Sequence, residues 1–181
     1  NRVLKKQFKI SNSSFNGTSF DGQYSRGDLI IKDNTFNNSE FRCQYCGVDP
    51  DYNYYGSNIG KVTVTGNSFN KEGKIYINNH RLTDLIINNN SFNESSYGIE
   101  ITPHWGIAYD WSTVSSANIE IKENTFNKSG GIDANTGKYD ISGNNFIDSK
   151  GIRYEVGMDD YYLNHPNNIG KAEFKINNNL F

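Results

Sequence analysis

The segment Leu85-Ile86-Ile87-Asn88-Asn89-Asn90-Ser91-Phe92 is one copy of a motif that decides the fold of this chain. The motif reads apolar-x-apolar-x-x-Asn-x-Phe, and it recurs along the whole sequence. Five further copies are Leu29-Ile31-Asn34-Phe36, Val62-Val64-Asn67-Phe69, Ile119-Ile121-Asn124-Phe126, Tyr139-Ile141-Asn144-Phe146 and Phe174-Ile176-Asn179-Phe181. A seventh copy, Phe8-Ile10-Phe15, has Ser13 in the asparagine position. Self-similarity of this kind indicates a repeat architecture.

Each copy of the motif predicts a short strand, a corner and an inward aromatic ring. Two apolar residues at i and i+2 give a strand with one face toward the core. Asparagine tolerates left-handed backbone, so it can turn the corner, and its amides can form a ladder when they repeat once per coil. The phenylalanine then points inward and stacks on its equivalents. One coil is too thin to bury a core, so its stability comes from its neighbours.

A second strand follows most corners, six or seven residues after the phenylalanine. The clearest examples are Ile75-Tyr76-Ile77, Ile99-Glu100-Ile101, Ile132-Asp133-Ala134 and Ile152-Arg153-Tyr154. Two strands and two corners in a turn of roughly 22 residues predict a β-solenoid with coils about 4.8 Å apart. The predicted fold is all-β, a single-stranded right-handed parallel β-helix of about seven coils. It forms one domain over residues 1–181.

The copies of the motif alternate between short and long separations. Their starts at residues 8, 29, 62, 85, 119, 139 and 174 are separated by 21, 33, 23, 34, 20 and 35 residues. The extra residues fall after the second strand, in the regions 42–61, 102–118 and 155–173. We therefore expect three loops on one side of the solenoid, two coils or roughly 10 Å apart.

Composition excludes several classes of function. The net charge is −2, so there is no electrostatic case for nucleic acid or an anionic membrane. No apolar run approaches the ~20 residues of a membrane span. Cys43 and Cys46 predict a local bridge or two free thiols in a loop. The start at Asn1 and the stop at Phe181 in mid-pattern predict a piece of a longer chain.

The predicted loops carry aromatic residues beside carboxylates. Sugar rings offer apolar faces for stacking and hydroxyls for hydrogen bonds, so this pattern suits a polysaccharide partner. The candidate substrate-binding residues are Trp105, Tyr109, Trp111, Tyr54 and Tyr161 in the loops, with Tyr76 and Arg81 in and after a second strand. The alternative is that the loop aromatics pack the loops onto the flank of the solenoid.

Alignment of the second strands places ionisable side chains in one outward column. The column runs Tyr76, Glu100, Asp133 and Arg153, and His80 and His104 stand near it in adjacent coils. The candidate catalytic residues are His104, Glu100, Asp133, Arg153 and His80. The first-strand columns show no such clustering.

This patch suits the chemistry of a uronate polymer. A cation or an arginine neutralises a sugar carboxylate, and histidine can move the proton alpha to it. Two carboxylates can instead serve as acid and base in glycoside hydrolysis. They can also bind Ca²⁺ through oxygen, the one metal or cofactor that the patch suggests. The alternative is a charge ladder, in which opposite charges on neighbouring strands offset one another.

The motif resembles that of the pectin-lyase-like superfamily of right-handed parallel β-helices, whose carbohydrate-associated repeats read Asn-x-Phe followed by Gly-Ile-x-Ile. The matching segments are Asn90-Ser91-Phe92 with Gly98-Ile99-Glu100-Ile101, and Asn144-Asn145-Phe146 with Gly151-Ile152. The segment Tyr97–Trp105 is similar to the alginate-epimerase motif at Pro103 and His104, but it has two inserted residues and lacks both aspartates. The resemblance implies a fold shared by polysaccharide lyases, uronate epimerases, hydrolases, viral tailspikes and adhesins.

The functional prediction is an extracellular polysaccharide-binding or polysaccharide-processing β-helix. A catalytic version would act as a lyase or epimerase on an acidic polysaccharide, with His104 transferring the proton. The alternative is a non-catalytic segment of a phage tailspike, fibre or cell-surface adhesin, for which a homotrimer is expected. Both readings place the chain outside the cell, or on the surface of a cell or virion.

Overall fold

The computed structural model describes residues 7–22, 27–44, 46, 60–78, 82–102, 118–134, 137–154 and 173–181. All regular structure in these ranges is β-strand, and every paired strand runs parallel to its neighbours. None of the described segments forms a helix with the length and hydropathy that crossing a membrane requires. The strands form three sheets, and each sheet takes one strand from each successive coil.

The strands are numbered in chain order and divide among the three sheets as follows. The first sheet contains β1 Gln7–Ser11, β4 Asp28–Lys32, β7 Gly60–Thr65, β10 Leu82–Asn88, β13 Asn118–Lys122, β16 Lys138–Ser142 and β19 Glu173–Asn177. The second contains β2 Ser14–Asn16, β5 Thr35–Asn37, β8 Ser68–Asn70, β11 Ser91–Asn93, β14 Thr125–Asn127 and β17 Asn145–Ile147. The third contains β3 Phe20–Asp21, β6 Glu40–Gln44, β9 Lys74–Asn78, β12 Ile99–Thr102, β15 Ile132–Ala134 and β18 Ile152–Tyr154.

The six coils that contribute to all three sheets have three strands each, where the sequence predicted two. The extra strand carries the phenylalanine of the motif: Phe92 pairs in register with Phe69 in the coil before and Phe126 in the coil after. A strand of three residues with one apolar position has no alternation to read, so the sequence gives no signal that separates it from the corner. The fold class itself is confirmed as an all-β parallel β-helix.

Left-handed residues turn the corners on both sides of the second sheet. In the coil of Phe92, Asn89 has φ 57° and Glu94 has φ 52°. Asn89 comes directly before the motif asparagine Asn90, which has no positive φ, so the expectation that the motif asparagine itself takes the left-handed backbone is wrong. Glu94 is less expected, because a left-handed backbone costs an L-residue other than glycine about 1–2 kcal/mol.

The core is a set of side-chain stacks that run along the solenoid. Phe36, Phe69, Phe92 and Phe126 are fully buried, and the centroids of successive rings are 4.7–4.9 Å apart with planes within 9° of parallel. The predicted phenylalanine stack is therefore confirmed. Each offset ring pair contributes about 0.5–1.5 kcal/mol beyond its buried area.

The motif asparagines form the predicted ladder inside the first corner. Asn34, Asn67, Asn90, Asn124 and Asn144 are each 1% exposed. In each, the backbone N–H and the Nδ2 group both donate to the Oδ1 atom of the next asparagine along the stack, at 2.9–3.0 Å. The same Nδ2 groups also donate to a backbone carbonyl of the preceding coil, for example Asn90 to Val64 at 2.9 Å. Buried polar groups are thus paired along the whole corner.

Cys43 and Cys46 form a disulfide, which is the first of the two states that the sequence left open. Both residues are fully buried, and Cys43 occupies the inward position on β6 that Ile77 takes on β9. The CxxC pair therefore belongs to the core, away from solvent.

The three longest connections all follow strands of the third sheet. The ranges 45–59, 103–117 and 155–172 each join a strand of the third sheet to the next strand of the first sheet, in alternate coils. They correspond to the three predicted loop regions. The outward face of the third sheet is therefore the surface that lies directly before them.

Candidate functional site

The strand register confirms the predicted outward column on the third sheet. Tyr76 pairs with Glu100, Glu100 with Asp133, and Asp133 with Arg153 in successive coils. Pairing with β6 adds Arg42 next to Tyr76. We refer to the outward side chains of this sheet, together with Tyr97 and Lys150 at its edge, as the third-sheet face.

Two carboxylates of this column are held in ion pairs. Arg153 donates from Nε and Nη2 to the two carboxylate oxygens of Asp133, at 2.8 and 3.0 Å. Glu100 lies 3.6 Å from the Nζ atom of Lys74. For these residues the geometry is that of a charge ladder, the alternative weighed from the sequence. Bidentate pairing also fixes the plane of the Arg153 guanidinium.

Lys74 organises the aromatic part of the face. Its Nζ atom lies 5.0 Å from the ring centroid of Tyr76 and 4.7 Å from that of Tyr97, within the range of a cation–π contact. The same atom is 3.6 Å from the carboxylates of Glu40 and Glu100. One cation thus joins two tyrosines and two acids from three coils.

Sequence reasoning missed Lys74 and Tyr97 as members of the site. Lys74 lies two residues before Tyr76, so strand alternation places both on the outward face. Tyr97 lies two residues before the first residue of the strand that carries Glu100, and it is 50% exposed. The alternation of outward and inward residues along the strand could have identified Lys74. It could not identify Tyr97, because Tyr97 lies before its strand.

A groove of about 250 Å³ lies along this face. Gly98 and Gly131 line this groove and lie in successive coils. A hydrogen bond from the Ile99 N–H to the Gly131 carbonyl, at 2.9 Å, joins the two coils at this point. A Cβ atom on Gly98 would collide with the carbonyl oxygen of Gly131. Only glycine therefore fits there. The groove is lined further by Tyr97, Glu100, Asp133, Lys150 and Arg153.

Hydrogen bonds fix the edge of the face nearest the long connections. The Nδ2 group of Asn78 donates to the Tyr76 hydroxyl at 2.8 Å and to the Thr102 hydroxyl at 3.0 Å. These contacts hold the Tyr76 ring in place from its polar end.

Most of the predicted loop residues lie outside the described part of the chain. These are the catalytic candidates His80 and His104 and the substrate-binding candidates Tyr54, Arg81, Trp105, Tyr109, Trp111 and Tyr161. The structure therefore brings together Tyr76, Glu100, Asp133 and Arg153 from the predicted set. Within the described ranges, no group of three or more His, Cys, Asp or Glu side chains is placed to hold a metal ion.

The outward face of the first sheet also has a charged cluster, which the sequence columns did not reveal. Glu120 pairs in register with Asp140, and Lys122 lies 3.4 Å from the first and 2.7 Å from the second. The hydrogen bond from Lys122 lowers the pKa of Asp140 and raises the pKa of Lys122. The signal was missed because Lys122 belongs to the neighbouring outward column, two residues beyond Glu120.

Comparisons of the chain with protein-family models, with curated proteins and with solved structures found no match. The relation to the pectin-lyase-like superfamily therefore stays a prediction.

Proposed function

We propose that this β-helix binds an acidic polysaccharide along the groove of the third-sheet face. The observation that carries the proposal is the combination of an exposed aromatic ring, Tyr97, with the cations Lys150 and Arg153 around one groove. The carbohydrate partner is the one predicted from the aromatic and charged residues of the sequence. The groove is the site that we propose for it.

The aromatic ring supplies the stacking surface. Lys74 covers one face of the Tyr97 ring, while half of the residue's surface stays exposed. A ring held by a neighbouring cation loses less freedom when a sugar stacks on it, so less binding free energy is spent on ordering.

The cations select an acidic polymer. The side chain of Arg153 is 66% exposed although it pairs with Asp133, and Lys150 lines the same groove. Among the described residues Lys150 has no acidic partner within ion-pair distance. A uronate or sulfate group can therefore pair with Lys150 directly and compete with Asp133 for Arg153.

Titration of the full chain with polygalacturonate, alginate and hyaluronan, against neutral dextran, tests this function. We expect binding to at least one acidic polymer, none to dextran, and a loss of tenfold or more in affinity for Tyr97→Ala and for Lys150→Gln. Lys138→Gln, which removes an exposed lysine from the first sheet, is the matched control and should bind as the original chain does. Equal affinities for all variants would refute the proposal.

Asp133→Asn separates binding from a purely structural ladder. Asp133 competes with the ligand for the Arg153 guanidinium, so removal of this carboxylate should raise the affinity for the acidic polymer. If the column is only a charge ladder and takes no part in binding, the substitution should leave the affinity unchanged.

The same incubations distinguish binding from catalysis. In β-elimination a base takes the C5 proton, the C4–O bond breaks, the leaving oxygen is protonated, and a C4–C5 double bond forms. New ultraviolet absorbance that disappears in His104→Ala would extend the proposal to a lyase with that histidine as the base. Binding without new absorbance would restrict it to a binding module.

A further inference from the structure

The outward face of the second sheet is an array of uncharged side chains in two columns, and all of them except Ile147 can form hydrogen bonds. One column contains Ser14, Thr35, Ser68, Ser91, Thr125 and Asn145, and the other contains Asn16, Asn37, Asn70, Asn93, Asn127 and Ile147. None of these twelve positions is charged, although charged residues make up 21% of the chain. We call this array the second-sheet face.

The array is held in place by its own contacts. Nδ2 of Asn37 donates to Oδ1 of Asn16 at 2.8 Å, and the same bond links Asn70 to Asn37 at 2.9 Å and Asn93 to Asn70 at 3.2 Å. The side chains from Thr35 onward are half-buried between their neighbours, except Ile147, which is exposed. Ordered amides and short hydroxyl side chains leave little conformational freedom on this face.

The spacing of the array is regular in both directions. The phenylalanine rings directly beneath it repeat every 4.7–5.0 Å along the stack. Along each strand the two columns are two residues, or about 6.7 Å, apart. Six coils therefore present a nearly rectangular lattice roughly 24 Å long.

Two common kinds of partner fit this face poorly. Sugars are recognised by aromatic stacking, and none of the twelve positions is aromatic. Neutral hydrogen bonds alone add only about 0.5–1.5 kcal/mol each against competing water. A second copy of the chain would need about 800 Å² per partner, several times the area of this lattice.

Water itself is the partner for which such a face is suited. Each hydroxyl and amide can hold a water molecule, and the rung repeat is close to the repeat of oxygen atoms along one axis of hexagonal ice. Waters held at these positions can join a growing crystal without first leaving the protein. We infer that the second-sheet face binds ice, independently of the third-sheet groove.

Ice-growth measurements on the full chain test this inference. We expect thermal hysteresis, faceted crystals and inhibition of recrystallisation. Ser91→Tyr, in the middle of the lattice, should reduce the hysteresis at equal concentration by tenfold or more. The matched control is Thr63→Tyr on the outward face of the first sheet, and Tyr97→Ala should also retain the effect.

Circular dichroism and urea unfolding establish that each variant is folded before it is compared. An original chain that leaves ice growth unchanged would overturn the inference. So would equal activity in Ser91→Tyr and Thr63→Tyr. Ser91-dependent binding to crystalline cellulose or chitin, without any effect on ice, would assign the lattice to a solid polysaccharide instead and would equally overturn it.

Discussion

Asn67 donates two hydrogen bonds to a single atom of Asn90: its backbone N–H and its Nδ2 group lie 3.0 and 2.9 Å from the Oδ1 atom. Asn90 repeats this arrangement toward Asn124. Both residues are 1% exposed, so neither can replace the bonds with water. Each asparagine of the ladder thus accepts hydrogen bonds from the coil before it, and its own N–H groups need the acceptor that the coil after it provides.

Replacement of Asn90 by alanine should be one of the most destabilising single changes in the ladder. It leaves the backbone N–H of Asn67 without an acceptor, takes one of three acceptors from the Asn67 Nδ2 group, and removes the bonds that the Asn90 Nδ2 group donates to Val64 and Asn124. Each unsatisfied buried group costs about 1–3 kcal/mol. We expect a loss of at least about 3 kcal/mol in the free energy of unfolding, measured with urea. Asn93→Ala, which removes one 3.2 Å bond on the surface, should lose about 1 kcal/mol or less. Similar losses in the two variants would contradict the ladder.

The ring of Phe92 should carry a large share of the packing free energy in its coil. It is fully buried between Phe69 at 4.9 Å and Phe126 at 4.8 Å. Phe92→Ala should destabilise the chain by about 3–5 kcal/mol. Phe8, which is 54% exposed, provides the comparison, and Phe8→Ala should have a much smaller effect in thermal unfolding. If both changes lower the melting temperature equally, the stack does not dominate stability.

The left-handed corners offer a stabilising substitution. Glu123 has φ 55° and Gly143 has φ 67° at the same corner of successive coils. Because glycine relieves the strain but adds freedom to the unfolded chain, Glu123→Gly should gain about 0.5–1 kcal/mol. Gly143→Ala should lose a similar amount through backbone strain alone, because its Cβ atom would meet only Glu123, at ordinary contacts of 3.6 and 3.9 Å. In urea unfolding, the two substitutions should change the free energy of unfolding in opposite directions. Changes in the same direction would rule out the backbone explanation.

The Lys122–Asp140 pair should give a pH-dependent contribution to stability. The pKa of Asp140 is lowered from 3.8, so its contribution is present above pH 3.8 and is lost as the pH falls through the folded-state pKa. The pKa of Lys122 is raised from 10.5, so its contribution is present below pH 10.5 and is lost as the pH rises through the folded-state pKa. Because both side chains are partly exposed, the pair contributes about 1 kcal/mol or less to the free energy of unfolding at neutral pH.

Lys122→Gln tests this pair. Without the cation, Glu120 and Asp140 face each other as like charges on adjacent strands, so the pKa of Asp140 should rise, as measured by carboxyl NMR titration. Lys138→Gln, on the same sheet, should leave the Asp140 titration close to that of the original chain. The stability difference between the original chain and Lys122→Gln should vanish in strong acid. A difference that persists when Asp140 is protonated would show that the lysine acts through packing alone.

Much of the candidate site followed from strand alternation. The register of Tyr76, Glu100, Asp133 and Arg153 could be predicted because each lies between two inward apolar residues of a recognisable strand. The part played by Lys74 could not, because its contacts reach across three coils to Tyr97 and to two carboxylates. Such contacts depend on rotamers, which alternation does not specify.

The sequence by itself determined the repeat, the parallel solenoid, the buried asparagine ladder and the phenylalanine stack. It could do so because each rests on one residue type recurring at one position per coil, and stacking turns that recurrence into contact. Tertiary structure alone decided that six coils have a third strand, that Cys43 and Cys46 are joined within the core, and that Tyr97, Lys150 and Arg153 line one groove. These features depend on where the corners turn and on how side chains of different coils meet in space, and no spacing along the chain records that.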